Sequence, residues 1–197
     1  MVDHFSLLAP IYERLIPPPD PADLSALLDL TPDCELLDAA GGTGRVSATF
    51  ATAIRRTVVC DTSASMLQEA QRKGLETVQS EVESLPFADA TFDRVLLVDA
   101  FHHLRDQRQA LGELMRVLRP AGRLVIEEPD IRRPLVKLAA FLEKACLMRS
   151  NFVGPEEMAA QVANLHAHAS IALRDLLRVW LVVTKTVDPV QAGDGTP

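Results

Sequence analysis

The sequence predicts an α/β fold in which a parallel sheet, covered by helices on both faces, ends in an antiparallel hairpin. Short apolar strand-like runs alternate with helical patterns between residues 34 and 128, which favours parallel strands with crossover helices. A glycine turn joins the first of these strands to the segment after it. Two β-like runs, Ser170 to Arg174 and Arg178 to Lys185, are separated only by Asp175-Leu176-Leu177. Three residues cannot hold a crossover helix, so these runs must pair antiparallel.

Pro17, Pro18, Pro19 and Pro21 break the chain early and set apart an amphipathic segment, Phe5 to Ile16, as an arm or lid. Residues 1–32 form this helical arm, with a second helix from about Asp23 to Leu30, and a single core domain continues to residue 187. Strands follow at Cys34 to Asp38, Thr57 to Cys60, weakly at Glu76 to Gln79, at Arg94 to Val98 and at Arg123 to Glu127. Val46, Phe50, Ala53 and Ile54 recur at i, i+4, i+7 and i+8, the stripe of a helix packed on a sheet, and Arg55 and Arg56 suit its negative end. The next helix opens at Ser63 and stops at Gly74. Asp106 and Gln109 form a capping box for a helix that Arg119-Pro120 closes, with Ala110, Leu111, Leu114, Val117 and Leu118 as its buried stripe. Two helical stretches, Leu135 to Met148 and Pro155 to Leu165, supply a wall at 133–165. The tail from Asp188 lacks apolar anchors and is expected to be disordered.

Composition narrows the function. With 48% hydrophobic and 24% charged residues the chain has the balance of a soluble globular protein. A net charge of -7 disfavours polyanionic partners such as nucleic acid, and Arg132, Arg133 and Lys137 read as a solvated helix face rather than a binding patch. Cys34, Cys60 and Cys146 are too few and too scattered for a disulfide framework or a zinc site. His166 and His168 lack companion ligands, so no metal is expected. No basic signal region and no run of about 18 apolar residues is present, which predicts a cytoplasmic protein without a membrane span.

The glycine turn, Asp38-Ala39-Ala40-Gly41-Gly42-Thr43-Gly44-Arg45, brings backbone close to a nucleotide-like ligand. Gly42 to Ser47 resembles the dinucleotide fingerprint except that Ser47 replaces the third glycine. Asp38 would repel a pyrophosphate and suit a cationic ligand; a carboxylate capping the loop's own amides is the alternative role. Asp61 ends the second strand about 20 residues on, placed either to accept ribose hydroxyls or to cap the following helix.

Five motifs in order, DAAGGTG at Asp38 to Gly44, VVCD at Val58 to Asp61, SLPFADATFD at Ser84 to Asp93, DAFHHL at Asp99 to Leu104 and LRPAGRLVIEE at Leu118 to Glu128, resemble class I S-adenosylmethionine-dependent methyltransferases, nearest to the group containing the ubiquinone and menaquinone C-methyltransferases. The resemblance implies a Rossmann-like doubly wound sheet of seven strands in the order 3-2-1-4-5-7-6, with strand 7 antiparallel. It implies S-adenosylmethionine as cofactor, S-adenosylhomocysteine as product and a small-molecule methyl acceptor, aromatic or enolic, in a monomer or homodimer. Tyr12, Asp38, Ala40, Gly42, Gly44, Asp61, Thr62, Met66, Glu81, Val82 and Asp99 then fall at cofactor-binding positions. Met66 either packs on the adenine or serves as an ordinary core residue; Glu81 stands where the family has Asp, and Ala121 is a second departure. His102, His103, Asp99 and Glu128 are the candidate proton acceptors at the carboxyl edge of the sheet, one of the histidines being structural, with Glu127 alternating to the other face. DAFHHLRD replaces a GLRN-like stretch of the quinone enzymes, which weakens the inference of a quinone acceptor. The competing readings are a nicotinamide-dependent oxidoreductase and a methyltransferase-like binding subunit without catalysis.

Overall fold

The computed structural model describes residues 20–134, 136–137, 151–163, 165, 167–173 and 178–186. The arm around Phe5 to Ile16 with Tyr12, most of the expected helix at 135–148, Cys146, His166 and the tail from Asp188 lie outside the described residues.

A seven-stranded sheet runs in the order β3-β2-β1-β4-β5-β7-β6, with strands β1 (Glu35–Ala39), β2 (Arg56–Asp61), β3 (Glu76–Gln79), β4 (Phe92–Val98), β5 (Leu118–Pro129), β6 (Ala167–Leu173) and β7 (Arg178–Lys185). β1 to β5 pair in parallel, while β7 lies antiparallel to both β5 and β6. Both the strand order and the closing hairpin are as expected from the sequence.

Alternation along the central strands explains their unbroken apolar runs. Leu36, Leu96 and Val125 face one layer with Leu24, Leu28, Val46, Phe50 and Trp180. Their neighbours Leu37, Val95, Leu97, Leu124 and Ile126 face the other, with Ala110, Leu111, Leu114, Met158 and Val162. A sheet buried on both faces leaves no polar side to alternate. The helices are α1 (Pro21–Leu28), α2 (Ala64–Arg72), α3 (Gln107–Val117) and α4 (Pro155–Ala163). Asp20 caps α1 with Pro21 at its first position, and the Ser63 and Asp106 side chains cap α2 and α3.

Three sequence expectations need correction. The helix expected over Val46 to Ile54 is a single 3-10 turn, Ser47–Thr49. Val46, Phe50 and Ile54 are buried as its stripe requires, but Thr49 Oγ1 donates to the Val46 carbonyl (2.6 Å), a local bond that competes with helix propagation. Arg55 and Arg56 therefore cap no helix. Arg55 reaches Glu35 and Arg56 opens β2, bonded to Glu76 on β3. Arg132 and Arg133 keep the solvent exposure expected of them but lie in a turn rather than on a helix face, and both pair with Asp130, whose carboxylate is buried. The capping box of α3 is half formed. Asp106 accepts from the Gln109 amide, but the Gln109 side chain donates to the Glu83 carbonyl.

Ala121 sits at φ 61°, a left-handed conformation that a side chain disfavours. Ala121→Gly is expected to stabilise the protein by up to about 1 kcal/mol, the relief of a left-handed alanine less the extra entropy of an unfolded glycine. Urea unfolding at neutral pH measures it.

Candidate functional site

The site lies at the carboxyl ends of β1, β2 and β4, where the strand order reverses between β1 and β4 and the two following connections leave on opposite sides. A cavity of about 470 Å³ opens there. Asp38, Ala40 and Gly42 from the glycine turn, Asp61, Thr62 and Met66 from β2 and the start of α2, Glu81 and Val82 after β3, and Asp99 with His103 after β4 all lie on its wall.

Asp38, the penultimate residue of β1, is almost wholly buried, and its Oδ2 has no hydrogen-bond partner among the described residues. Burial pushes its carboxyl up to about 6, with Ser47 and Arg45 opposing and Asp61 adding to the rise. The turn folds directly over it. A Cβ at Gly41 would stand 2.5 Å from Asp38 Cγ, so only glycine allows this approach. Gly41 was not singled out from the sequence, although the Gly-Gly pair after the strand was its signal.

Asp61 bridges the turn to α2. Its Oδ2 accepts from the Gly42 amide (2.9 Å) and its Oδ1 from the Ser63 amide (2.8 Å). A carboxylate oxygen can accept more than one hydrogen bond, so the capping and binding roles are compatible. Gly42 is open towards the cavity; an added Cβ would come no nearer than 3.9 Å to Asp61 and 4.0 Å to Met66 Sδ. Gly44 is different. It does not line the cavity, and its Cβ would collide with Leu75 Cδ1 and crowd Val59 on β2 and Ala70 on α2, so this glycine serves the packing of the turn rather than ligand contact. Lys73 Nζ ties the same turn from behind through the Thr43 carbonyl (3.0 Å).

On the far wall Glu83, buried, accepts from the amides of Arg105 (2.8 Å) and Asp106 (3.2 Å) and so fastens the loop after β3 to the start of α3. The Glu81 carboxylate pairs with Arg105 (2.7 Å) at the cavity rim. Glu83, Arg105, Thr43, Ser80 and Arg45 were missed as cavity residues from the sequence. The Glu81–Arg105 and Glu83–Arg105 contacts span more than 20 residues, and no local pattern announces them.

The four candidate proton acceptors separate. His103 and Asp99 are on the cavity wall, Asp99 at φ 53°. His102 and Glu128 are buried behind it. His102 Nδ1 is 2.6 Å from Glu128 Oε2, and Glu128 Oε1 accepts from the amides of Ala100 (3.0 Å) and Phe101 (2.7 Å). Burial raises the Glu128 carboxyl, while His102 and the Phe101 amide oppose the rise. Neither residue reaches the cavity, which speaks against either as the group touching a substrate. Glu127, on the other face of β5, is buried beside Arg178 (3.1 Å), its carboxyl pushed up to about 7 chiefly by burial. Cys60 is likewise buried, and its thiol pushed up to about 12 makes it unreactive.

Among the described residues no cluster of His, Cys, Asp and Glu could hold a metal ion, and no helix is long and apolar enough to cross a membrane.

Residues 37–126 match the family model described as a methyltransferase domain. The demethylmenaquinone methyltransferase of Corynebacterium efficiens is 33% identical over 153 residues, which cover 78% of this chain and 64% of that protein. The chain thus spans less than two thirds of that relative's length. The ubiquinone/menaquinone biosynthesis C-methyltransferase UbiE of Hahella chejuensis is 38% identical over 104 residues, 47% of this chain and 42% of that one. Among solved structures, a SAM-dependent methyltransferase from Thermotoga maritima superimposes with a TM-score of 0.74 at 21% identity, covering 92% of this chain and 98% of the other. In its glycine turn, its acidic residue after β2 and its 3-2-1-4-5-7-6 sheet, as in the matched methyltransferase-domain model, the chain is similar to the class I S-adenosylmethionine-dependent methyltransferases.

Proposed function

We propose that the protein transfers a methyl group from S-adenosylmethionine to a small aromatic or enolic acceptor. The observation that carries this reading is the buried Asp38 carboxylate beneath the glycine turn, with an oxygen lacking a partner among the described residues. Among the described residues, Asp61, Glu81, Glu83 and Asp99 share its cavity with two guanidinium groups, Arg45 and Arg105. A cavity dominated by carboxylates suits a ligand with a sulfonium and an ammonium and opposes a pyrophosphate, which disfavours a nicotinamide dinucleotide. The residues present therefore fit the cofactor.

When bound, S-adenosylmethionine supplies an electrophilic methyl group that already carries its leaving group. Asp38 would neutralise the ammonium, Asp61 would accept the ribose hydroxyls, and Met66 with Val82 would flank the base. Thr62, Ala40 and Gly42 complete the wall by backbone and small side chains. Alignment of bound reactants accounts for about 7–11 kcal/mol of such a barrier. His103, on the wall beside Asp99, is placed to take a proton from an acceptor hydroxyl and would add about 10²–10⁴-fold. The relatives named for demethylmenaquinone make a hydroquinone the first acceptor to assay, although DAFHHLRD, Asp99 to Asp106, stands where quinone enzymes usually carry a GLRN-like stretch.

Calorimetric titration with S-adenosylhomocysteine tests the cofactor reading. The expected result is binding that Asp61→Ala weakens at least tenfold; stabilisation by NADH with no response to the homocysteine would remove it.

Asp38 adds a pH signature. The folded carboxyl keeps its proton up to about pH 6 against 3.8 ordinarily. The stability it contributes is therefore full below the ordinary value and is lost as pH rises through 6, a cost of up to about 3 kcal/mol. Without ligand, Asp38→Asn is expected to gain about 1–3 kcal/mol over the parent between pH 4.5 and 7.5 in urea unfolding. Over the same range the parent's affinity for S-adenosylmethionine should rise about tenfold, as the carboxylate ionises to meet the ammonium, and Asp38→Asn should flatten the rise. A parent affinity independent of pH would sink the ammonium role.

A further inference from the structure

Four residues that line the cavity, Asp99, Ala100, His103 and Leu104, lie on or beside the 3-10 turn Phe101–His103 that follows β4. This turn has little hold of its own. Its N-cap Ala100 offers no side-chain oxygen to the turn's amides. The missing acceptor comes from β5, where the buried Glu128 takes the Ala100 and Phe101 amides on one oxygen and His102 Nδ1 on the other.

The same histidine continues outward. Its ring stacks on Phe152 at 4.1 Å with 14° between planes, and its carbonyl accepts from the Asn151 amide (2.7 Å). Gln107 Nε2 bridges the Phe101 and Asn151 carbonyls (3.1 and 2.8 Å). On its inner side the His102 ring lies 4.0 Å from that of His103, which faces the cavity. One buried pair thus joins the segment 151–154 on the outside to the cavity wall on the inside.

We infer that Glu128 and His102 are positioning residues: together they set the turn that presents Asp99 and His103 to the cavity, and they dock residues 151–154 against it. Neither exchanges a proton with the methyl acceptor. This inference rests on the cavity being the S-adenosylmethionine site, and it assigns to the carboxylate and imidazole a task that the cofactor's own chemistry does not require.

The test uses the full chain and S-adenosylhomocysteine as probe. Glu128→Gln, which keeps the size but cannot offer two carboxylate oxygens, is expected to weaken binding at least fivefold although it touches no cavity atom. His102→Asn places an amide donor near the former Nδ1, so it should retain most of the affinity that His102→Leu loses, and Phe152→Leu should fall between them. In ¹⁵N-labelled protein the short Nδ1–H bond should give a strongly downfield proton signal, absent in Glu128→Gln and unchanged by ligand. A folded Glu128→Gln that binds within twofold of the parent overturns the inference, as does a His102→Asn no better than His102→Leu. Should Glu128→Gln fail to fold, the two His102 variants decide. Failure of the parent itself to bind the probe would instead overturn the cofactor reading, so the two failures are distinct.

Discussion

The glycine turn is closed over an almost wholly buried carboxylate, Asp38, and the geometry of the site follows from that burial. Asp38 can be covered only if the next turn presents bare backbone, hence glycine at 41, where a Cβ would fall within the carboxylate's own radius. To leave β1 and pass over Asp38 the chain adopts positive φ at Ala40, Gly42 and Gly44. Asp61 then holds the turn down through the Gly42 amide, and Leu75 and Val59 fill the space that Gly44 leaves. A floor built this way is rigid before any ligand arrives, which lowers the ordering cost of binding.

Much of this was legible in the sequence because it is local. The strands announce themselves as short β-branched and aliphatic runs, the α2 and α3 starts carry Ser63 and Asp106 as caps, and the closing hairpin follows from three intervening residues. The order of the sheet came through the family resemblance rather than from periodicity. What failed to show was either competition or distance. The stripe Val46, Phe50 and Ile54 is correctly buried, yet the threonines and serine between them favour local hydroxyl-to-backbone bonds over a helix. The histidines at 102 and 103 are indistinguishable as letters. Their separation into a buried and a cavity-facing ring depends on Glu128, 26 residues away on another strand. Glu83 and Arg105 escaped for the same reason.

The carboxylates of the site also divide by how each is satisfied. Asp61 and Glu83 take backbone amides, Glu81 takes Arg105, and Glu128 takes two amides and an imidazole. These charges are compensated within the protein. Asp38 has only partial relief, and its raised pKa records the difference. A carboxylate left short of partners in the empty protein gains most from an ammonium brought beside it, which in the proposed reading sets Asp38 apart from acids whose ligand contacts add to bonds already made.

Strain points the same way. Among the described residues, Ala40 and Asp99 are non-glycine residues with positive φ on the cavity wall, one at the end of β1 and the other at the end of β4. Each such residue costs roughly 1–2 kcal/mol, and surrounding structure must impose it. At Ala40 the constraint is the turn over Asp38. At Asp99 it is the Glu127 carbonyl, which accepts the Asp99 amide, together with Glu128, which takes the next two amides. The Glu127 carbonyl and the Glu128 carboxylate on β5 thus take three successive amides just past the end of β4. Glu128, which closes the fifth motif, is in this light a structural requirement of the fourth, since Asp99 and His103 reach the cavity only while the backbone between them is held from behind.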